Sequence, residues 1–125
     1  MASPLIPSIL TSVKKSLNIQ ESVTAFDPDI TLLINSSFSE LHQMGVGPDE
    51  GFSIEDDSSE WEEFTDNVEV LGMVQEYVYL SVRLVFDPPT ASVLTAIEKK
   101  RDELEWRLNV AGDKLIMTEE VSDED

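Results

Sequence analysis

The stretch from Leu71 to Phe86, closed by Asp87-Pro88-Pro89, constrains this chain more than any other. Wound as a helix, it shows one narrow polar stripe: Gly72, Gln75, Glu76, Tyr79 and Arg83. Leu71, Met73, Val74, Tyr77, Val78, Leu80, Val82, Leu84, Val85 and Phe86 cover the rest of its circumference. A helix apolar on most sides must be packed on most sides, so this reading makes residues 69–86 the central post of a helical domain. A strand pattern competes with it. From Tyr77 onward, Val78, Leu80, Val82, Leu84 and Phe86 alternate with Tyr77, Tyr79, Ser81 and Arg83, and the β-branched and aromatic content suits a pleated surface. The length of the run and the non-alternating Met73-Val74-Gln75-Glu76 favour the helix, but the period alone leaves both readings open.

The 125 residues suit one domain, which at this size buries roughly two-thirds of its unfolded surface. A core is therefore within reach without covalent staples. Cysteine is absent, which excludes disulfides and thiolate metal sites. The single histidine, His42, cannot form a His-based metal cluster or proton relay within one chain and reads as a surface residue. The opening residues lack a basic region and a long apolar stretch, so no secretory signal is expected. The apolar run is too short to cross a bilayer and carries Arg83.

Charge excludes another class. With 26 acidic residues against 8 basic ones, the formal net charge is −18. Such a surface repels a phosphate backbone. What remains is a solubilising surface, an acidic docking surface, a lining that DNA slides past, or a phosphate mimic.

The pattern along the chain is helical. Ser8 opens a first helix to Leu17, with Ile9, Leu10, Val13 and Leu17 on one stripe and Lys14 and Lys15 near the negative end of its dipole. Phe26-Asp27-Pro28-Asp29 is a helix start, with Asp27 as cap and Pro28 at the first position. Ile30, Leu33, Ile34, Ser37, Phe38, Leu41 and Met44 follow at helical spacing, and Gly45 stops the helix. Residues 49–57 carry five carboxylates, Asp49, Glu50, Glu55, Asp56 and Asp57, around Phe52 and Ile54. Their spacing fails the pattern of a calcium loop, so they read as an exposed loop pinned by its two apolar residues. Ser59 with Glu62 matches a capping box for a short helix carrying Trp61 and Phe64. Thr90 to Asn109 forms the last helix, with Leu94, Ile97, Leu104 and Leu108 inward. Lys99-Lys100-Arg101 is the one basic cluster, Glu103 and Arg107 form an i,i+4 pair, and Trp106 falls off the apolar stripe, which hints at an interface. Gly112-Asp113 breaks the pattern. Leu115-Ile116-Met117 is a small apolar patch, and Glu119 to Asp125 is an acidic tail expected to be unstructured on its own.

No motif for catalysis stands out. There is no glycine-rich phosphate loop leading into a helix, no nucleophile elbow and no HExxH. Acid–base catalysis needs carboxylates in contrasting environments, and among 26 acids no pair is singled out by sequence. No enzyme, cofactor or metal is expected.

Taken together, Thr24-Ala25-Phe26-Asp27-Pro28-Asp29-Ile30, Ile34-Asn35-Ser36, Gly45-Val46-Gly47-Pro48, Gly51-Phe52-Ser53-Ile54, Trp61-Glu62-Glu63-Phe64, Tyr77 to Leu84, Phe86-Asp87-Pro88-Pro89 and Glu103 to Asn109 form an ordered set. Over residues 8–110 this set resembles the head–tail connector (adaptor) proteins of long-tailed double-stranded DNA phages. The resemblance implies an all-α subunit, a small bundle of four to five helices with a C-terminal extension, divided as 1–110 and 111–125. It implies a homo-oligomeric ring, usually a dodecamer, assembled in the host cytoplasm and placed in the virion neck. There it would dock under the portal protein, hold the stopper and tail, and let DNA through without binding it. No membrane is involved.

A ring repeats one heterologous interface. Arg83, Lys99, Lys100, Arg101, Trp106 and Arg107 are its candidate residues. In such rings the C-terminal region commonly reaches the portal, which makes Leu115, Ile116, Met117, Glu119, Glu120 and Val121 the docking candidates. Asp49, Glu50, Glu55, Asp56 and Asp57 are candidates for a channel or neck-facing surface, where repulsion of phosphate acts over a Debye length of ~8 Å. The alternative is a small acidic module that mimics DNA and occupies a basic partner.

Overall fold

A computed structural model describes residues 7–123, with side chains as far as Asp113. Five helices follow in order: α1 (Ile9–Ser16), α2 (Asp27–Gln43), α3 (Trp61–Phe64), α4 (Val68–Phe86) and α5 (Ala91–Asp123). The described residues hold no β-strand, only an isolated antiparallel bridge between Ser8 and Glu60. The helix reading of the apolar run is the correct one, and the fold is all-α.

α4 is the post. It packs against α1, α2 and α5. Val70, Val74, Tyr77, Val78 and Val82 are buried along it, while Leu71, Met73, Tyr79, Leu80 and Phe86 pack at the margins. Only Gly72 and Glu76 of the expected polar stripe are exposed. Tyr79 instead turns its ring against Trp61, with centroids 6.1 Å apart.

The helix ends follow from local chemistry. Asn67 starts α4, its Oδ1 accepting from the amides of Glu69 and Val70. Gly45 stops α2 as expected. At φ 83° it lets its own amide reach the His42 carbonyl and the Val46 amide reach that of Leu41, the pairing of a left-handed helix terminus. Asn18, at φ 62°, closes α1 in the same way.

Three local expectations are corrected. Asp27 does not cap α2: it lies inside the first turn, and its carboxylate meets the ammonium of the buried Lys14 at 2.9 Å. Lys14 also donates to the Glu21 carbonyl, so it ties α1 to the loop and to α2 rather than serving only the helix dipole. The capping box of α3 lies one residue later, with Glu63 accepting from the Glu60 amide at 2.8 Å. The Ser59 carbonyl and the Trp61 amide are already paired with Ile9 and Pro7, which moves the helix start to Glu60.

The third correction concerns Gly112, which does not break α5. The helix runs through it and through the first acids of the tail to Asp123. Gly112 is buried, and a Cβ there would overlap the Met44 carbonyl. The residue is a contact point between α5 and the end of α2, and the lack of a side chain is what permits it.

Candidate functional site

Among the described residues, no three His, Cys, Asp or Glu side chains converge to hold a metal ion. None of the described helices is long and apolar enough to cross a membrane. What the bundle offers is a set of outer faces.

The first is the outer face of α5. Leu104 and Leu108 are fully buried against α4, and Leu94 and Ile97 are half-buried. Trp106 projects from the opposite side, 68% exposed, with Val110 one turn further on. Lys99 lies two turns earlier on the same side, Asp102 and Glu103 lie one turn earlier, and Arg107 follows the tryptophan in sequence; all four are exposed. Trp61, the other tryptophan, is 2% exposed, and its Nε1 donates to Ser12 Oγ. The contrast marks Trp106 as surface not used by the subunit itself.

Arg101 has a different role from its basic neighbours. Its Nε donates to Ser81 Oγ at 2.8 Å, and one terminal nitrogen reaches both Glu40 Oε1 and the Tyr77 hydroxyl at 3.1 Å. The Tyr77 hydroxyl donates in turn to Glu40 at 2.8 Å. The guanidinium carbon lies 4.9 Å from the centre of the Tyr77 ring, a cation–π distance. Burial, and then the bond to Glu40, push the Tyr77 hydroxyl well above the usual phenol range, against the opposing pull of Arg101. Arg101 thus joins α2, α4 and α5 within one subunit. Lys99 and Arg107 remain exposed, Lys100 is half-buried, and Arg83 is half-buried on α4 with its Nε enclosed.

The second face is the loop between α2 and α3. Asn35 holds it by copying a backbone: its Oδ1 accepts from the Ile54 amide at 2.8 Å, and its Nδ2 donates to the Ile54 carbonyl at 2.9 Å. Ile54 is buried, and Phe52 packs edge-on against Phe38 and Phe64, so the loop is pinned as expected. Asp49, Glu50, Glu55, Asp56 and Asp57 all remain exposed. Asp56 Oδ1 accepts from the Ser58 hydroxyl and amide, which holds its carboxyl below the usual range. Together with Leu10, Asp27, Pro28 and Thr31, the last three acids line a cleft of about 350 Å³ between α1, α2 and the loop.

The side chains of Leu115, Ile116, Met117, Glu119, Glu120 and Val121 lie outside the described residues. Glu40, Ser81 and Asn35 had no assigned role in the sequence. Their partners stand 61, 20 and 19 positions away, and only the fold pairs them.

The described residues form a small helical bundle whose distinctive side-chain chemistry lies on its outer faces. Residues 9–114 match the family described as phage connector protein, and the chain belongs to that family. It is therefore a phage structural protein that joins other head or tail components. No curated protein and no solved structure matches it.

Proposed function

We propose that the chain is the adaptor of a head–tail junction. Copies form a closed ring in the virion neck, dock on the portal at the capsid vertex, hold the stopper and tail, and leave an axial passage for DNA. The observation that carries this reading is Trp106, 68% exposed among Lys99, Asp102, Glu103, Arg107 and Val110 on a helix that buries Leu104 and Leu108 on its other side. Exposed aromatic and arginine side chains are the usual anchors of protein interfaces. The net charge of −18 supports the passage, since such walls repel rather than hold a phosphate backbone.

The end of α5 is the portal-facing segment in this proposal. α5 has 33 residues and α4 has 19. At 1.5 Å per residue these span about 50 Å and about 28 Å, so α5 outruns its packing partner. The overhang carries Leu115, Ile116, Met117, Glu119, Glu120 and Val121.

Electron microscopy of the portal with and without this chain tests the assignment. A ring of added density below the portal is the expected result. A chain ending at Asp113 is expected to lose that density. A portal unchanged by excess full-length chain would overturn the proposal.

A further inference from the structure

The ring proposed above repeats one contact between two different faces of the subunit. On α4, Tyr77 and Tyr79 lie two residues apart, which is about 200° around the helix. Tyr77 meets Arg101 of α5. Tyr79 faces Trp61, which is bonded to Ser12 of α1. α5 and α1 therefore flank the post on opposite sides, and each turns an outer face to solvent.

The outer face of α5 is an aromatic knob set between charges of both signs. Trp106 is 68% exposed, with Val110 one turn later. Asp102 and Glu103 stand one turn before the indole, and Arg107 follows it. These three charged residues are exposed, and among the described residues none of them forms an ion pair. With Glu98 and Lys99 included, the face is acidic on balance.

The outer face of α1 is a hollow. Thr11 and Lys15, one turn apart on the side opposite buried Val13, line a pocket of about 440 Å³ with Asn18, Ile19, Gln20 and Glu21. Its far wall is set by the backbone. Asn18, at φ 62°, turns the chain back at the helix end, and the Ile19 amide donates to the Lys14 carbonyl at 2.9 Å. The buried Lys14 ammonium then holds the Glu21 carbonyl at 3.0 Å. The hollow is thus built before any partner arrives, with half-buried Ile19 as its apolar part. Its two charged side chains, Lys15 and Glu21, are exposed and form no ion pair among the described residues. No Lys or Arg stands between Lys15 and Arg83, a stretch that carries acids throughout. Among the described residues, Lys15 is the exposed cation that α5 does not supply.

The geometry points to a head-to-tail contact: Trp106 of one copy enters the α1 hollow of the next, with Asp102 and Glu103 beside Lys15 and Arg107 beside Glu21. The occupant of the hollow is a second copy of this chain, because each face sets its apolar centre between one sign of charge and the other, in matching order. Seating the same knob on residues 55–57 would set Asp102 and Glu103 against unpaired acids, a like-charge contact that opposes docking. Glu55, Asp56 and Asp57 therefore stay outside the contact and remain, with Asp49 and Glu50, for the channel or the neck.

The contact rests on the ring reading, and the test separates the two. The chain has no cysteine of its own, so introduced pairs report only the intended contact. Arg107→Cys with Gln20→Cys in one chain is expected to give a ladder of covalent oligomers on oxidation, whereas either single variant stops at a dimer. Lys15→Glu, and separately Asp102→Lys with Glu103→Lys, should each weaken assembly about tenfold or more while helical circular dichroism is unchanged. Mixing the two charge variants should restore it, because copies that alternate around the ring then meet opposite charges at every contact. On assembly, Trp106 emission should shift to the blue as its ring leaves water. Rings that form normally without a ladder, and that ignore the charge reversals, would overturn this contact and leave the adaptor reading standing. Failure of the unmodified chain to assemble, alone or on a portal, would remove both.

Discussion

Arg101 of α5 and Glu40 of α2, 61 positions apart, meet at 3.1 Å over the hydroxyl of Tyr77. Both helices contact α4, but packing alone does not fix how α5 slides along its neighbours. The fork of the guanidinium does so: one arm takes Ser81 while another takes Glu40 and Tyr77. The outer face of α5 is consequently presented at a set height. In the ring proposed above, that registration would let each copy match its neighbours.

Removing the fork should be costly. Arg101→Ala leaves the Tyr77 hydroxyl and Ser81 without their cationic partner and removes the stem packed over the ring. A loss of about 2 kcal/mol is expected, seen as a lower midpoint in urea with an unchanged slope. Tyr77→Phe should cost about 1 kcal/mol. Because the two residues share one network, their effects should fall short of additivity. Strictly additive losses would show that the network is not coupled.

Alkaline pH should attack the same place. Burial raises both tyrosines, Tyr77 and Tyr79, above the ordinary phenol value of about 10. In this range the unfolded chain releases its phenolic protons while the folded chain keeps them. Stability is therefore fully present below about pH 10 and declines as pH rises beyond it. The two phenols should ionise together with loss of helical signal rather than before it. Tyr77→Phe should flatten the decline. An absorbance titration that shows a tyrosine ionising normally in the folded protein would contradict this.

Most of the architecture was legible because it depends on period and punctuation. Ser8, Pro28, Gly45 and Asp87-Pro88-Pro89 mark helix boundaries through short-range rules, and the apolar residues between them repeat at helical spacing. Gly112 suggests a helix end in sequence but lies inside α5, for a physical reason. A glycine ends a helix or admits a neighbour, and which one holds depends on whether Met44 lies beside it. Arg101 and Lys99 are indistinguishable as sequence, yet one faces Glu40 and the other faces water. Lys14 sits on a predicted helix at a position suited to the dipole, and only the arrival of Asp27 turns it inward. In each case the deciding partner is distant along the chain.

The acidic loop offers a separate prediction. Asn35 makes both hydrogen bonds that the backbone of Ile54 would otherwise lack. Asn35→Ala should cost about 1–2 kcal/mol and release the segment that carries Glu55 to Asp57. Limited proteolysis should then cut between residues 49 and 58 well before the helices are attacked. The remaining anchors, Phe52 and Ile54, bury apolar surface but do not satisfy the backbone, so they cannot compensate. Equal cleavage rates in the two proteins would mean that Asn35 is not the clamp.

Two glycines in helix interiors should respond to alanine with opposite signs. Gly72 is exposed on α4, and a Cβ there meets nothing within 4 Å. Gly72→Ala therefore gains helix propensity and loses unfolded-state freedom, worth about 0.5–1 kcal/mol of added stability. Gly112 has the same intrinsic preference but sits against the Met44 carbonyl, which is backbone and has no rotamer to yield. Gly112→Ala must push α5 away from the end of α2, and overpacking of this kind costs about 1–3 kcal/mol. The shift would be felt along α5, since Leu108 one turn earlier is fully buried. Thermal melts of the two variants beside the parent decide the matter: Gly72→Ala should melt higher and Gly112→Ala lower. If Gly112→Ala also melted higher, the close approach of α5 to Met44 would be wrong.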